Sequence, residues 1–454
     1  MNKNCDQYSP SPKLVVAPDP KIMKAVEQLG YRVTLGDVAA FAGLNINLAQ
    51  QGLLALASDA GGHLQVAESG EIAYLFPKNF RSILRNKFLR LQLQEWWEKV
   101  WRILFYLIRI SFGILLLLSI VLIFVAIILI SLSASGNDSS ENRGSENSSG
   151  GGGIFFFPSF WIGDIFWLFN PSYERRYQRE QVASHSSQSS HMNFLEAVFS
   201  FLFGNGNPNH NLEECRWRAI GIVIRNSGGA VVAEQIAPYL DDIGEGDKRE
   251  SEDYILPVLT RFDGRPEVSP EGEIIYHFPQ LQTTALLWES QLVRPYLRER
   301  FWRFSRATSG QIMLSIGLGA INLIGALVLG SLLKGAIAAQ LGGFVAFVQS
   351  IYWVLLGYGI AFLAVPLIRY FWIQLTNSRI ARRNQQRQER TFVPDPADTT
   401  LQKKIAYAQQ FAVQNVITQE NLVYTSETDL LDQEIERSDK IDDEWQRRLE
   451  SNKE

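Results

Sequence analysis

The residue types that most often carry reactions are few and far apart in this chain of 454 residues. The five histidines are scattered. His185 and His191 stand in the Ser-rich tract SHSSQSSH, where solvated side chains are a better reading than metal ligands. His277 falls in a candidate strand and His63 beside a Gly-Gly turn, both structural settings. Cys5 and Cys215 stand alone, so one chain supplies neither a disulfide framework nor a four-cysteine metal site. Acid pairs such as Asp241–Asp242 lie in a polar loop, where solvated charge is the default. The phosphate-cradling P-loop, the HExxH zinc helix and the GxSxG nucleophile elbow are all absent from the sequence. The expectation is therefore a non-enzyme with no catalytic, cofactor-binding or metal residues and no cofactor.

What the chain does carry is apolar sequence in blocks. Residues 110–132 run without a charge, and at 1.5 Å per residue they reach roughly 34 Å, enough for a bilayer core of about 30 Å. Two more runs cover 312–333 and 351–368, the latter extending back toward Phe344. Arginines, lysines and aromatics collar the runs: Arg102, Arg109 and Trp101 before the first, Arg303, Arg306 and Trp302 before the second, Arg369, Arg379 and Trp372 after the third. Between the second and third only Lys334 is charged. Such collars belong to one membrane face, yet a single crossing cannot return the chain to that face before the second run. Residues 154–169, followed at once by Arg175, Arg176 and Arg179, read as a short return crossing, a re-entrant or surface element, or a soluble loop; Pro158 and Asp164 count against simple spanning. Ala326/Gly330 and Gly357/Ala361 have the spacing that lets helices approach closely.

Two stretches on either side of the first run resemble each other. VTLGDVA at Val33 matches VVAEQIA at Val231, and GEIAYLFP at Gly70 matches GEIIYHFP at Gly272. The extra residues of the second copy fall in the polar stretch DDIGEGDKRESED. Between these anchors Leu53, Leu54 and Leu56 match Ile255, Leu256 and Val258, and Gly62 matches Gly264. Each copy reads as helix, brief strand, helix-turn-helix and hairpin, the order of a winged helix. Thr34 is the expected N-cap, with Asp37 three residues on in the capping-box position. Leu48, Leu53 and Leu56 are expected near one helix face, and Tyr74, Phe76, Tyr276 and Phe278 are expected to fill small cores.

Charge argues against nucleic acid as partner. From Val33 to Pro77 there is no Lys or Arg but Asp37, Asp59, Glu68 and Glu71; from Val231 to Pro279 twelve acids face four bases. Such surfaces repel phosphates, so other proteins and membrane lipids are the expected partners. Residues 193–204 are an apolar amphipathic stretch, expected on the bilayer surface or against the second copy. The tail after the third run reads as a basic stalk broken at Pro394 and Pro396, an amphipathic helix and an acidic end.

The segments LGYRVTLGDVAAFAGL, ESGEIAYLFPKNFR, MNFLEAVFSFLFG and YILPVLTRFDGRPEVSPEGEIIYHFPQLQ resemble a family of cyanobacterial and chloroplast multi-pass membrane proteins. Plant members of it have carried an iron–sulfur cluster biosynthesis label, so the resemblance implies an accessory role in that process. The residues do not carry it: an A-type carrier needs a C…CxC set, and two separated thiols do not hold a cluster. The N-terminus shows no secretory or transit-like pattern, which fits a plasma or thylakoid membrane of a cyanobacterium-like cell, with the winged-helix domains and tail cytoplasmic.

The expected architecture is α+β: two winged-helix-like domains joined to an α-helical transmembrane region of three to four segments. In order these are a tail (1–20), the first winged-helix-like domain (21–80), a stalk and first span (81–132), a Ser/Gly linker (133–153), the short segment 154–169, and a polar linker (170–210). The second winged-helix-like domain (211–285), a basic stalk (286–310), two further spans (311–368) and a stalk with a helical tail (369–454) follow. The expected function is a non-catalytic scaffold, assembly or regulatory factor working through protein contacts. The alternatives are a small-solute transporter or channel, for which Asn322, Gln340, Gln349 and Asp164 are the polar residues in the spans, and a membrane-tethered DNA-binding regulator.

Overall fold

The computed structural model describes residues 19–87, 89–137, 193–244, 251–335, 342–392 and 398–435, with the isolated positions 438 and 445. Cys5, Asp164, His185, His191 and Gln340, and the whole of segment 154–169, lie outside the described residues. The chain divides into two compact units: Met1–Trp97 with Asn209–Arg300 and Arg379–Glu454, and Glu98–Pro208 with Phe301–Ser378. Both helix and sheet are present, and three helices are long and apolar enough to cross a membrane.

The first block begins with α1 (Pro20–Gln28), opened by Asp19, which accepts from the Lys21 N–H at 2.8 Å. After β1 (Arg32–Thr34) comes α2 (Leu35–Ala42), started by the reciprocal box the sequence predicts. The Asp37 N–H donates to Thr34 Oγ1 at 3.2 Å and the Thr34 N–H to Asp37 Oδ2 at 2.8 Å. Then follow α3 (Ile46–Ala60), β2 (His63–Ala67), β3 (Ile72–Leu75) and α4 (Phe80–Lys87). Leu53, Leu56, Tyr74 and Phe76 are buried in one cluster. Leu48 is not: it is 61 % exposed, because five residues at 100° each put it about 140° from Leu53, and Ala49 takes the inward place.

From this unit α5 (Leu89–Asn137) leads on, running past the expected start of the Ser/Gly linker at 133. It is followed by α6 (Phe194–Phe203). The second block holds α7 (Leu212–Asn226), β4 (Ala230–Val231), α8 (Ala233–Ile236), α9 (Leu256–Phe262), β5 (Arg265–Val268) and β6 (Ile274–His277). It ends in α10 (Pro279–Gln282) and β7 (Thr283–Thr284). The strand orders β1-β3-β2 and β4-β6-β5 correspond, and so do the registers: Val33 faces Tyr74, and Val231 faces Tyr276. Phe76 donates its N–H to Tyr31 O at 2.8 Å, as Phe278 does to Gly229 O at 2.7 Å. Glycine is required at the same place in each. A Cβ on Gly62 would come 2.9 Å from the Phe76 ring, and on Gly264 it would collide with Phe278. The caps differ: where Thr34 and Asp37 reciprocate, only the Gln235 amide reaches back, accepting from the Val232 N–H at 3.1 Å.

The two blocks share a core instead of standing apart. Gly221 of α7 lies so close to α2 that a Cβ there would come 2.8 Å from Ala40 Cα, and Ala40 is buried in the second block's cluster with Ile220, Ile224 and Phe278. The tail departs from the purely helical form expected of it. After α11 (Ser309–Leu332) and α12 (Phe344–Glu389) come α13 (Thr399–Phe411), β8 (Asn415–Val416) and β9 (Leu422–Thr425). β8 pairs with β7 in parallel and β9 with β2 antiparallel. The open edge of β2 offers unpaired backbone groups, and the run Leu-Val-Tyr-Thr is a good strand former.

The second unit is built on α5, α11 and α12. Tyr358 OH donates to Phe112 O at 3.1 Å, Ser119 Oγ to Asn322 Oδ1 at 2.7 Å, and Gly330 lies against Tyr352. These depths make α5 and α11 parallel and α12 antiparallel to both. Gly319 and Gly359 face neighbouring helices; of the spaced pairs, Ala326 and Gly330 are packed but Gly357 and Ala361 face outward. α6 joins Leu116, Phe112 and Phe362 through Phe194, Val198 and Phe201, so it packs within this unit. Six of its ten residues are buried there. Leu115, Leu118, Ile324, Val354 and Leu367 stay exposed on the outside of the bundle, an apolar exterior suited to lipid.

Candidate functional site

The most elaborate polar geometry lies where the two blocks meet. Asp37, placed by the first turn of α2, is 2.6 Å from Arg225 Nη2 at the end of α7, and their side chains are 7 % and 2 % exposed. The same carboxylate accepts from the Ala285 N–H at 3.0 Å and lies 3.1 Å from the Thr284 hydroxyl. Thr34 Oγ1 donates to Thr283 O at 2.9 Å. The Arg225 guanidinium stacks 4.1 Å over the Trp288 ring. Arg32 on β1 donates through Nε to Gln65 Oε1 at 2.8 Å, and through Nη1 to Ala285 O at 2.9 Å and Ile417 O at 2.7 Å. One cap residue thus closes a helix, pairs a buried arginine and fixes the strand that ends the second block.

Two further ionic clusters hold the tail on the second block. Glu299 accepts from Arg383 Nε at 2.7 Å and lies 2.9 Å from Arg387 Nη1, while Asp241 pairs with both Arg216 and Arg387. Burial would raise the Glu299 carboxyl, but the hydrogen bond from Arg383 and the charge of Arg387 outweigh it and hold it below its usual range. Asp241 is likewise held low, burial being outweighed by Arg387 and Arg216. On α13, Lys404 reaches Glu252 at 2.8 Å and Glu234 at 3.1 Å, and Tyr276 OH donates to Glu252 at 2.7 Å. Burial opposes the Lys404 charge, yet these carboxylates raise its pKa overall.

None of these clusters pairs a nucleophile with a base; their chemistry is that of charge locks. Of the residues singled out from sequence, His63 lies 3.2 Å from Ser426 O and His277 3.1 Å from Gln282 Oε1. Cys215 is exposed on α7, and no cluster of three metal-ligating side chains occurs among the described residues. Asn322 is buried against Ser119 while Gln349 faces outward. Sequence reading found Asp37 only as a cap and missed Arg32, Arg225, Trp288 and Lys404, whose partners lie far away along the chain.

No protein-family model and no solved structure matches the chain. It is 38 % identical over 443 residues to the "Uncharacterized protein At5g03900, chloroplastic" of Arabidopsis thaliana, across 94 % of this chain and 82 % of that protein. At that identity and coverage, the chain belongs to the family of this Arabidopsis chloroplast protein.

Proposed function

We propose that the protein is a membrane-anchored, non-catalytic scaffold or assembly factor whose two winged-helix-like blocks are copies of one unit and meet protein partners. The shared strand order, register and Gly–Phe contacts support the duplication. One observation carries the choice of partner. The outward face of α3, the helix that enters the groove in DNA-binding winged helices, presents Asn47, Leu48, Gln51, Leu54, Ala55 and Ser58. It has no cation to neutralise a phosphate, and its exposed leucines suit contact with protein. The iron–sulfur reading gains no support from Cys215, which has no second cysteine beside it among the described residues.

Sidedness follows from the same reading. Arg109 lies over the Phe199 ring, the Arg306 N–H donates to Ser200 Oγ and Arg369 donates to Phe201 O, so all three meet at α6, whereas the stretch 333–343 joining α11 to α12 carries only Lys334. The arginine end is the cytoplasmic face under the positive-inside rule. Parallel α5 and α11 favour, among the three readings of residues 154–169, the short return crossing.

The test is crosslinking of the full-length protein in native membranes, with Leu48→Asp/Leu54→Asp beside the wild type. Partner crosslinks mapping to α3 and lost in the variant support the reading. Salt-dependent micromolar binding of duplex DNA by the wild type, unaffected by the variant, refutes it. With Cys5 and Cys215 replaced by Ser, an impermeant maleimide is expected to distinguish Arg300→Cys from Lys334→Cys; equal labelling from one face refutes the sidedness.

A further inference from the structure

The two hairpins treat their outer edges differently. Matching Gly62 with Gly264 and Gly70 with Gly272 sets Leu64 of β2 against Pro266 of β5, and Glu68 against Pro270. In the first block the backbone N–H groups at both positions hold the tail: Leu64 donates to Ser426 Oγ at 2.9 Å and Glu68 to Asn421 O at 2.9 Å. Between them Val66 faces Tyr424 in the antiparallel ladder of β2 with β9. Proline has no N–H, so the edge of β5 lacks both donors and cannot seat a strand in the same way. The chain thus keeps one hairpin edge able to take a strand and closes the other.

The strand seated on the open edge is a poor electrostatic match for it. Residues 33–77 contain no Lys or Arg, and neither do residues 405–436 of the tail. Glu420, Glu427 and Asp429 flank β9, and Glu68 bonds through its N–H to the carbonyl of Asn421, next to Glu420. Like charges share this edge and neither segment supplies a base. Each repulsion is weak at an exposed position, but a strand with bases at those three places turns every one into an attraction. What holds β9 is otherwise open to any extended segment: backbone bonds along β2, a seat where Leu422 meets Ala67, Ala73 and Ile417, and the Ser426 hydroxyl. We propose that the β2 edge is a docking site for an extended basic segment of a partner protein, and that β9 is the chain's own resident there, displaced when the partner binds. The segment carries an apolar residue, a hydroxyl residue four places on, and Lys or Arg at its flanks. This rests on the scaffold reading and deepens it by naming a second contact surface and its partner's chemistry.

The experiment is fluorescence anisotropy of labelled peptides with the full-length protein in an uncharged detergent. The probe is the sequence of residues 419–429 carrying E420K, E427K and D429K. The controls are the unaltered sequence and the probe with Tyr424→Pro, which keeps the charge but interrupts the ladder opposite Val66. Saturable binding of the probe is expected, at least about tenfold tighter than either control. In the protein, Ser426→Pro removes the tail N–H that bonds Leu64 O. The position is exposed, so folding is retained, and probe binding is expected to tighten at least about threefold because the resident strand competes less. Probe binding no tighter than the Tyr424→Pro control, or unchanged by Ser426→Pro, overturns the proposal. So does crosslinking of tail to hairpin between two copies of the chain in place of peptide binding, which makes a second copy the occupant. Leu48 and Leu54 are untouched by these variants, so failure at this edge is distinguishable from failure of the α3 contact.

Discussion

Replacing Asp37 by Ala removes the counter-charge of an arginine whose side chain is only 2 % exposed. Breaking a buried pair from one side costs about 3–5 kcal/mol, because the remaining charge is left in a poorly solvated place. The Thr34 and Ala285 N–H groups lose their acceptor as well, so the loss belongs at the upper end, though these contributions do not add fully. Opening of α2 from α7 is then favoured by roughly three to four powers of ten. Hydrogen exchange of the amides of α2 and α7 in the full-length protein reads this opening without requiring two-state unfolding of the whole chain. The companion is Asp37→Leu with Arg225→Met, which replaces both charges by apolar groups. It is expected to protect those amides better than Asp37→Ala does, since no orphaned charge remains. If Asp37→Ala changes protection by less than about 0.5 kcal/mol, the range of an ordinary surface substitution, the pair does not hold the blocks together and the reasoning fails.

Acid is expected to release the tail from the second block. Glu299 and Asp241 have depressed folded-state values, so their contribution is complete above their ordinary values of 4.5 and 3.8 and is lost as pH falls through the lower folded ones. Limited proteolysis near Glu389 across pH 5 to 2 checks this, and cleavage that does not rise with acidity counts against it. Lys404→Met is expected to loosen α13, because Glu234 and Glu252 are left to repel each other; adding Glu252→Gln is expected to recover part of the lost protection. Gly221→Ala puts a Cβ 2.8 Å from Ala40 Cα, and a loss of about 1–3 kcal/mol by overpacking is expected in chemical unfolding. In the bundle, Asn322→Ala leaves the Ser119 hydroxyl without its partner, and a loss of about 0.6 to 1.7 kcal/mol is expected in detergent-mediated unfolding.

The sequence by itself determined the local elements of this protein. The three apolar helices were legible because spanning length and hydropathy are properties of consecutive residues. The Thr34–Asp37 cap was legible because its partners sit three residues apart. Matching glycines at Gly62 and Gly264 pointed to a constraint whose cause, the Phe76 and Phe278 rings, the structure supplied. Tertiary structure alone decided that α2 and α7 fuse the two blocks, that α6 joins the three long apolar helices, and that the tail adds strands to existing sheets. It also decided that Asp37 serves Thr284, 247 residues along the chain, as well as its own helix. Local periodicity and capping leave a pattern within one or two helical turns. A charge pair, or a cavity between distant segments, depends on which surfaces the folded chain brings together, and no short stretch of residues records that choice.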